Sequence, residues 1–99
     1  MTVYVDAIVA TGRTKAWPYT RACHMFATTD EELHAMAKAI GLRREWFQNH
    51  ASLPHYDLTV SRRELAVRRG AVSVGRWFTV DWMRQLRYQR EGAQDDNAE

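Results

Sequence analysis

Histidine occurs at three places in the chain where it could hold a metal ion, and at one of them an aspartate follows it. His24 lies in a segment with strand-like alternation, His34 follows Glu32 by two residues, and His55 precedes Asp57 by two. Imidazole nitrogens and carboxylate oxygens are the usual ligands of zinc and related transition metals. One hypothesis is therefore a metal site built from His24, His34, His55 and Asp57, although their spacing matches no ligand motif.

The same side chains permit acid–base catalysis. Histidine exchanges protons near neutral pH, so His55 with Asp57, or His34 with Glu32, can form an acid–base pair. Cys23 and the histidine that follows it form a poor nucleophile–base pair, because neighbours on a strand point to opposite faces. The sequence contains no glycine-rich phosphate loop and no nucleophile elbow. The catalytic candidates are His34, His55 and Asp57.

A third hypothesis is a pocket for an anion or a nucleotide. Helix N-termini bind phosphate through free amides, and two predicted helices begin after hydroxyl residues, Thr29 and Ser61. Arg62 would lie near the phosphate, while Trp46 or Tyr56 could stack on a base. The full set of ligand-binding candidates is His24, His34, Trp46, Gln48, His55, Tyr56, Asp57 and Arg62.

The elements that must position these residues follow from the hydrophobic pattern. Alternation predicts strands over residues 2–6 and 21–27, and a short β-branched strand over residues 71–74. Capping boxes begin at Thr29 and Ser61, and they predict helices over Asp30–Ile40 and from Ser61 to about Arg69. A last helix, capped by Thr79, is predicted from Val80 to about Arg90. This order predicts an α/β fold with a short mixed sheet of about three strands and three helices.

Length and composition favour one domain. The chain has 99 residues, a formal net charge of +2 and a single cysteine, so residues 1–90 are predicted to form one domain without an internal disulfide. Residues 91–99 are acidic and lack large hydrophobic side chains, which predicts a disordered tail. No apolar run is long enough to cross a membrane, and the N-terminus does not resemble a signal peptide, so a cytoplasmic location is expected.

The C-terminal part of the chain offers other partners. Arg84, Arg87 and Arg90 recur along the last predicted helix, and they could contact nucleic acid or an acidic host protein. The segment Trp77–Met83 either covers the core or exposes an apolar patch for a homodimer.

Several short motifs together resemble a small bacterial and phage family, the domain of unknown function numbered 4031. The matching residues are Met1–Asp6, His24, Glu32-Leu-His34, Leu42, Trp46-Phe-Gln48, His55–Leu58, Arg62 or Arg63, and Gly70-Ala-Val72. The resemblance covers about residues 1–74 and leaves residues 75–90 as a helical extension. Ala7 departs from the pattern, since relatives often carry an acidic or polar residue there.

The resemblance implies a compact α/β domain with a polar site, and it implies no activity. By position, its signature residues are Asp6, His24, Glu32, His34, Trp46, Gln48, His55, Tyr56 and Asp57. The leading hypothesis from the sequence is a protein that binds a phosphate-bearing small molecule such as a nucleotide. The alternatives are a small hydrolase, with a transition metal as its possible cofactor, and a protein that binds a host protein or nucleic acid through its last helix.

Overall fold

The computed structural model describes residues 2–98, with side chains up to residue 89. In chain order the strands are β1 (Val3–Val5), β2 (Val9–Ala10), β3 (Arg21–Ala27), β4 (Gln48–Asn49), β5 (Pro54–Leu58) and β6 (Val72–Ser73). The helices are α1 (Asp30–Ala39), α2 (Val60–Arg68) and α3 (Arg76–Ala98), and a 3₁₀ turn covers Arg44–Trp46. Within this part of the chain, no helix has the length and hydropathy that a membrane crossing requires.

The six strands form one mixed sheet. Its order is β4-β5-β3-β1-β6, and β2 pairs with the start of β3 beside β1. Only β1 and β6 run parallel; the other described pairs are antiparallel. The prediction of a mixed sheet with three helices is confirmed, but the prediction of about three strands is wrong. The additional strands include β2 and β4, which pair through only two residues each, too few to leave an alternating pattern.

The two faces of the sheet carry different helices. Helices α1 and α2 cover the face that holds the main core, with Met25 and Leu58 fully buried among residues such as Leu33 of α1 and Ala66 of α2. Helix α3 lies on the other face, where the rings of Phe78 and Trp82 pack against Tyr4 and Phe26. Part of the segment Trp77–Met83 therefore covers the sheet.

The helix starts follow local hydrogen bonds. Thr29 caps α1 by accepting the backbone N–H of Glu32, as its capping box predicts. The predicted cap at Ser61 is wrong: Thr59 caps α2 instead, since its hydroxyl accepts the N–H of Arg62. Helix α3 begins at Arg76, before the predicted cap at Thr79, and its helical backbone continues beyond the predicted end near Arg90. Solution disorder of residues 91–99 stays a prediction.

Candidate functional site

Strands β3 and β5 bring three polar side chains together on the face that α3 partly covers. His24 pairs directly with Asp57 across the two strands, and His55 lies two residues before Asp57, so all three share one face. One ligand atom from each residue lies within 4.8 Å of the others. This is the one group of three or more His, Cys, Asp or Glu residues with metal-ligand spacing that the described chain contains.

Asp6 holds His24 through a break in the neighbouring strand. The chain takes four steps from Val5 to Val9, whereas the paired residues on β3 are three steps apart, from Met25 to Ala22. One extra residue is therefore accommodated between β1 and β2, as in a β-bulge, and bulges are common beside functional sites. At this break the Asp6 backbone N–H donates to the His24 carbonyl.

The Asp6 side chain accepts three hydrogen bonds. Its Oδ1 accepts the His24 backbone N–H at 2.6 Å, and its Oδ2 lies 2.9 Å from His24 Nδ1. The hydroxyl of Thr79, in α3, donates to the same Oδ2 at 3.0 Å. With Nδ1 held by a carboxylate, the neutral His24 ring leaves the lone pair of Nε2 available, which is the usual arrangement of a metal-binding histidine.

His55 is fixed by its own loop. Its Nδ1 lies 2.7 Å from the backbone oxygen of Leu53, and because a carbonyl can only accept, Nδ1 carries the proton. The Nε2 atom of neutral His55 is then an acceptor, 3.4 Å from Asp57 Oδ1. The His24 ring stands edge-on to the His55 ring, with centroids 4.9 Å apart, and the His50 ring stacks on the His55 ring at 5.6 Å.

Asp57 is oriented by the adjacent edge strand. Gln48 lies opposite His55 in the pairing of β4 with β5, and its side-chain amide donates to Asp57 Oδ2. Each of the three clustered side chains thus has one atom held by another group of the protein, which leaves His24 Nε2, His55 Nε2 and Asp57 Oδ1 as the atoms available to a ligand.

The charges of the cluster follow from these bonds. Burial by itself raises the pKa of Asp6, but the hydrogen bonds from the side chain and backbone of His24 outweigh it and leave that pKa below its ordinary value. The hydrogen bond to Asp6 raises the pKa of His24, against an opposing effect of burial. Burial also raises the pKa of Asp57, yet the hydrogen bond from His55, which only its doubly protonated ring can donate, and the hydrogen bond from Gln48 bring it below the ordinary value. Both carboxyl groups are therefore anionic at neutral pH.

The separation of one pair in the cluster fits a tetrahedral metal ion. Ligand bonds of about 2.0–2.1 Å place neighbouring ligand atoms about 3.3–3.4 Å apart in a tetrahedron, and the 3.4 Å between His55 Nε2 and Asp57 Oδ1 matches that spacing. The side chains of His24 and Asp57 are 42% and 33% exposed. Solvent can therefore reach the cluster.

Two cavities adjoin the cluster. The smaller, of about 260 Å³, is lined by His24 and Asp57 together with Trp17. The larger is an open cleft of about 1160 Å³, lined by residues of the segment 13–21, by the 3₁₀ turn and Gln48, and by the start of α2. Asp57 and Trp17 line both cavities, so the cleft and the histidine cluster share a wall.

The residues proposed from the sequence separate into three groups. His24, Gln48, His55 and Asp57 come together, and Trp46 and Arg62 line the cleft. His34 and Tyr56 are hydrogen-bonded to each other at 2.9 Å, and Tyr56 is buried in the core on the opposite face of the sheet. The structure therefore does not bring His34 to the other proposed metal ligands.

Arg62 has a structural contact of its own. Its guanidinium donates to the backbone oxygen of Ile40 at the end of α1.

Burial lowers the pKa of His34, and the nearby Arg44 charge adds to the effect. Burial raises the pKa of the Cys23 thiol to about 12, so Cys23 is an unreactive core residue.

Sequence reasoning missed several parts of the site. Asp6 was named only through the family resemblance, and its role depends on the extra residue that follows β1. Thr79 was interpreted as a helix cap, while its hydroxyl instead reaches Asp6 from inside α3. Arg13, Trp17 and Arg21 were not predicted as site residues, because only the tertiary fold brings their segment to the cleft. A lone polar residue at the end of an apolar strand was the one local signal for Asp6.

Comparison with known proteins gives a family and no activity. The model of a family described as "Protein of unknown function (DUF4031)" matches residues 3–86. The match extends beyond residue 74 into α3. No curated protein and no solved structure matches the chain.

Proposed function

Since this chain belongs to the DUF4031 family, whose description assigns no activity, we propose a function from the site itself: a metal-dependent hydrolase. The ion is a divalent transition metal such as zinc, held by His24, His55 and Asp57. One observation carries the proposal: three ligand atoms converge within 4.8 Å, and each ligand side chain is held by a further group of the protein.

The contacts that orient the three side chains distinguish this cluster from polar residues that are merely close together. Asp6 holds His24, the Leu53 carbonyl holds His55, and Gln48 holds Asp57. Metal-ligating histidines usually donate their other ring N–H to a carboxylate or carbonyl in this way, which sets the tautomer and the ring orientation. All three orienting contacts form between groups of the protein.

Two histidines and one carboxylate leave one tetrahedral position open, which is the pattern of catalytic zinc sites. A metal ion in such a site lowers the pKa of a bound water to about 7 and supplies hydroxide at neutral pH. His24, His55 and Asp57 would hold such an ion, and the hydroxide that it supplied would bond to the electrophilic centre of the substrate. The bond to the leaving group would break, and that group would take the proton that the water had lost.

Metal content of the purified, untagged protein tests the proposal directly. We expect about one equivalent of zinc or another transition metal by elemental mass spectrometry, and loss of that metal in His55→Ala. His34→Ala is the matched control: it removes the same side chain from outside the cluster and should keep the metal. Equal metal content in wild type and His55→Ala, or no binding after incubation with zinc, cobalt or manganese, would rule out the site.

Hydrolysis is tested separately on the metal-loaded protein. We expect cleavage of chromogenic phosphate or carboxylate esters that stops on chelation, returns with added metal, and is absent in Asp57→Asn. Activity that survives chelation and the Asp57 substitution would contradict a metal-dependent reaction. The other functions considered from the sequence, simple ligand binding and contact with a partner through the last helix, stay predictions.

A further inference from the structure

We propose that the large cleft beside the metal cluster binds a nucleotide, a planar base joined through a sugar to a phosphate. The inference rests on the proposed function in one respect: a ligand in this cleft would be the substrate of the metal site. Binding itself requires only the residues of the cleft.

Aromatic rings in the cleft provide surfaces for a planar base. Trp46, in the 3₁₀ turn, is 51% exposed, and Tyr19 is 49% exposed. The Trp17 ring meets the Tyr19 ring edge-on, with centroids 5.0 Å apart. Exposure of a large aromatic ring to water is unfavourable, and any of the nucleobases can stack on the face of such a ring. Trp17, Tyr19 and Trp46 all line the same cleft.

The uncommitted charge in the cleft is positive. Glu64 lies 3.8 Å from Arg68, and Asp57 is engaged by His55 and Gln48. Arg13 and Arg21 also line the cleft, are exposed, and have no side-chain ion pair or hydrogen bond within the described chain. A guanidinium matches phosphate oxygens through two parallel N–H bonds, so an anion carrying phosphate is the ligand these side chains fit.

The position of the cleft links the base to the reaction. Its volume of about 1160 Å³ is large enough for a ligand of this size, given that small-molecule pockets are about 300–1,000 Å³. Asp57 and Trp17 line both this cleft and the smaller cavity beside His24. A base held in the cleft thus leaves the phosphate end able to approach the metal cluster. Hydroxide would then bond to phosphorus while the P–O ester bond broke, and the leaving alkoxide would take the proton that the water had lost.

Binding of adenosine 5′-monophosphate to the full-length protein, treated with chelator and followed by calorimetry, tests the inference. We expect it to bind at least tenfold more tightly than adenosine or ribose 5-phosphate, because the base and the phosphate contact different residues. Trp46→Ala and Arg21→Ala should each weaken binding by about fivefold to a hundredfold. Trp77→Ala and Arg84→Ala are matched controls on α3 and should change nothing.

The outcomes separate this inference from the proposed function. His55→Ala should lose metal and still bind the nucleotide in the absence of metal. Metal binding without nucleotide binding would overturn the cleft inference and leave the metal site intact. Nucleotide binding without metal binding would overturn the hydrolase. Inorganic phosphate that competes as well as the nucleotide, or a single-stranded oligonucleotide that binds more than a hundredfold more tightly, would overturn the choice of ligand.

Discussion

The Asp6 carboxylate takes the place of a backbone carbonyl in the strand ladder, since its Oδ1 accepts the backbone N–H of His24 at 2.6 Å. Its Oδ2 reaches the ring of the same histidine at 2.9 Å. A single side chain therefore fixes both the backbone and the imidazole of His24. The hydroxyl of Thr79 donates to that oxygen at 3.0 Å, so α3 is attached to the site at this point.

Replacement of Asp6 by asparagine should weaken both folding and metal binding. The Asn side chain has only one acceptor oxygen, so it cannot accept both the His24 backbone N–H on one side and the Thr79 hydroxyl and His24 ring on the other. We expect a loss of about 1–3 kcal/mol in the free energy of unfolding. Loss of the carboxylate behind His24 should also weaken zinc affinity by about tenfold to a hundredfold. Urea denaturation without metal measures the first effect, and zinc titration of the folded variant measures the second.

The Asp6–His24 pair should give stability a specific pH dependence. The pKa of Asp6 is lowered by folding, so its contribution is present above the unfolded pKa of about 3.9 and is lost as pH falls through the folded pKa. The pKa of His24 is raised, so its contribution is present below about pH 6.5 and is lost as pH rises through the folded pKa.

Both contributions are present together between about pH 4 and pH 6.5. The stability difference between wild type and Asp6→Asn should therefore be largest in that range, measured by urea denaturation of metal-free protein from pH 3 to pH 9. A difference that stays constant across the whole range would show that the pair does not titrate as its contacts require.

Gln48→Ala should weaken the metal site without unfolding the protein. Gln48 lies in a two-residue edge strand, and its amide holds one oxygen of Asp57. We expect zinc affinity to fall by about tenfold to a hundredfold, as for other groups that orient metal ligands. The neighbouring Asn49→Ala is the control, because Asn49 is exposed and has no part in the cluster. Equal zinc affinity of the two variants would contradict a positioning role for Gln48.

Gly41→Ala tests the junction between α1 and α2. Gly41 has a φ of +83°, and an added Cβ would lie 2.6 Å from the Arg62 guanidinium, which donates to the Ile40 carbonyl. We expect the free energy of unfolding to fall by about 1–2 kcal/mol because of the left-handed backbone, and by about 1 kcal/mol more because the hydrogen bond is lost. Gly70→Ala is the control, since its φ is +105° and no atom lies within 4 Å of its Cβ.

In an Arg62→Ala background the two glycine substitutions should cost nearly the same, as thermal or urea denaturation can show. A persistent difference of more than about 1 kcal/mol would place the cost of Gly41→Ala elsewhere than in the Arg62 contact.

The predictability of the fold depended on how local each signal is. The Thr29 capping box predicted the start of α1, because its interactions lie within a single turn, and the predicted helix matched α1 to within one residue. The edge strands β2 and β4 depend on pairing with partners that are distant in sequence, and two residues cannot show a period. The predicted cap at Ser61 failed because Thr59 lies two residues earlier and serves the same purpose.

The site was predictable in its residue types and not in its geometry. His24, His55 and Asp57 could be named as ligands, but His34 is the same residue type in an equally suggestive place. The face of the sheet separates them. Tyr56 points into the core, where its hydroxyl is hydrogen-bonded to His34, while its neighbours His55 and Asp57 point to the opposite face. That division needs the register of β3 with β5, which one sequence does not contain.

The extra residue between β1 and β2 makes the length of this stretch part of the chemistry. Deletion of Ala7 would let β1 and β2 pair with β3 in one continuous register. A backbone carbonyl would then accept the hydrogen bond that the Asp6 carboxylate now accepts. Insertion of a residue would move Asp6 away from His24 or Thr79. Residues 6–8 are therefore expected to keep a fixed count in evolution.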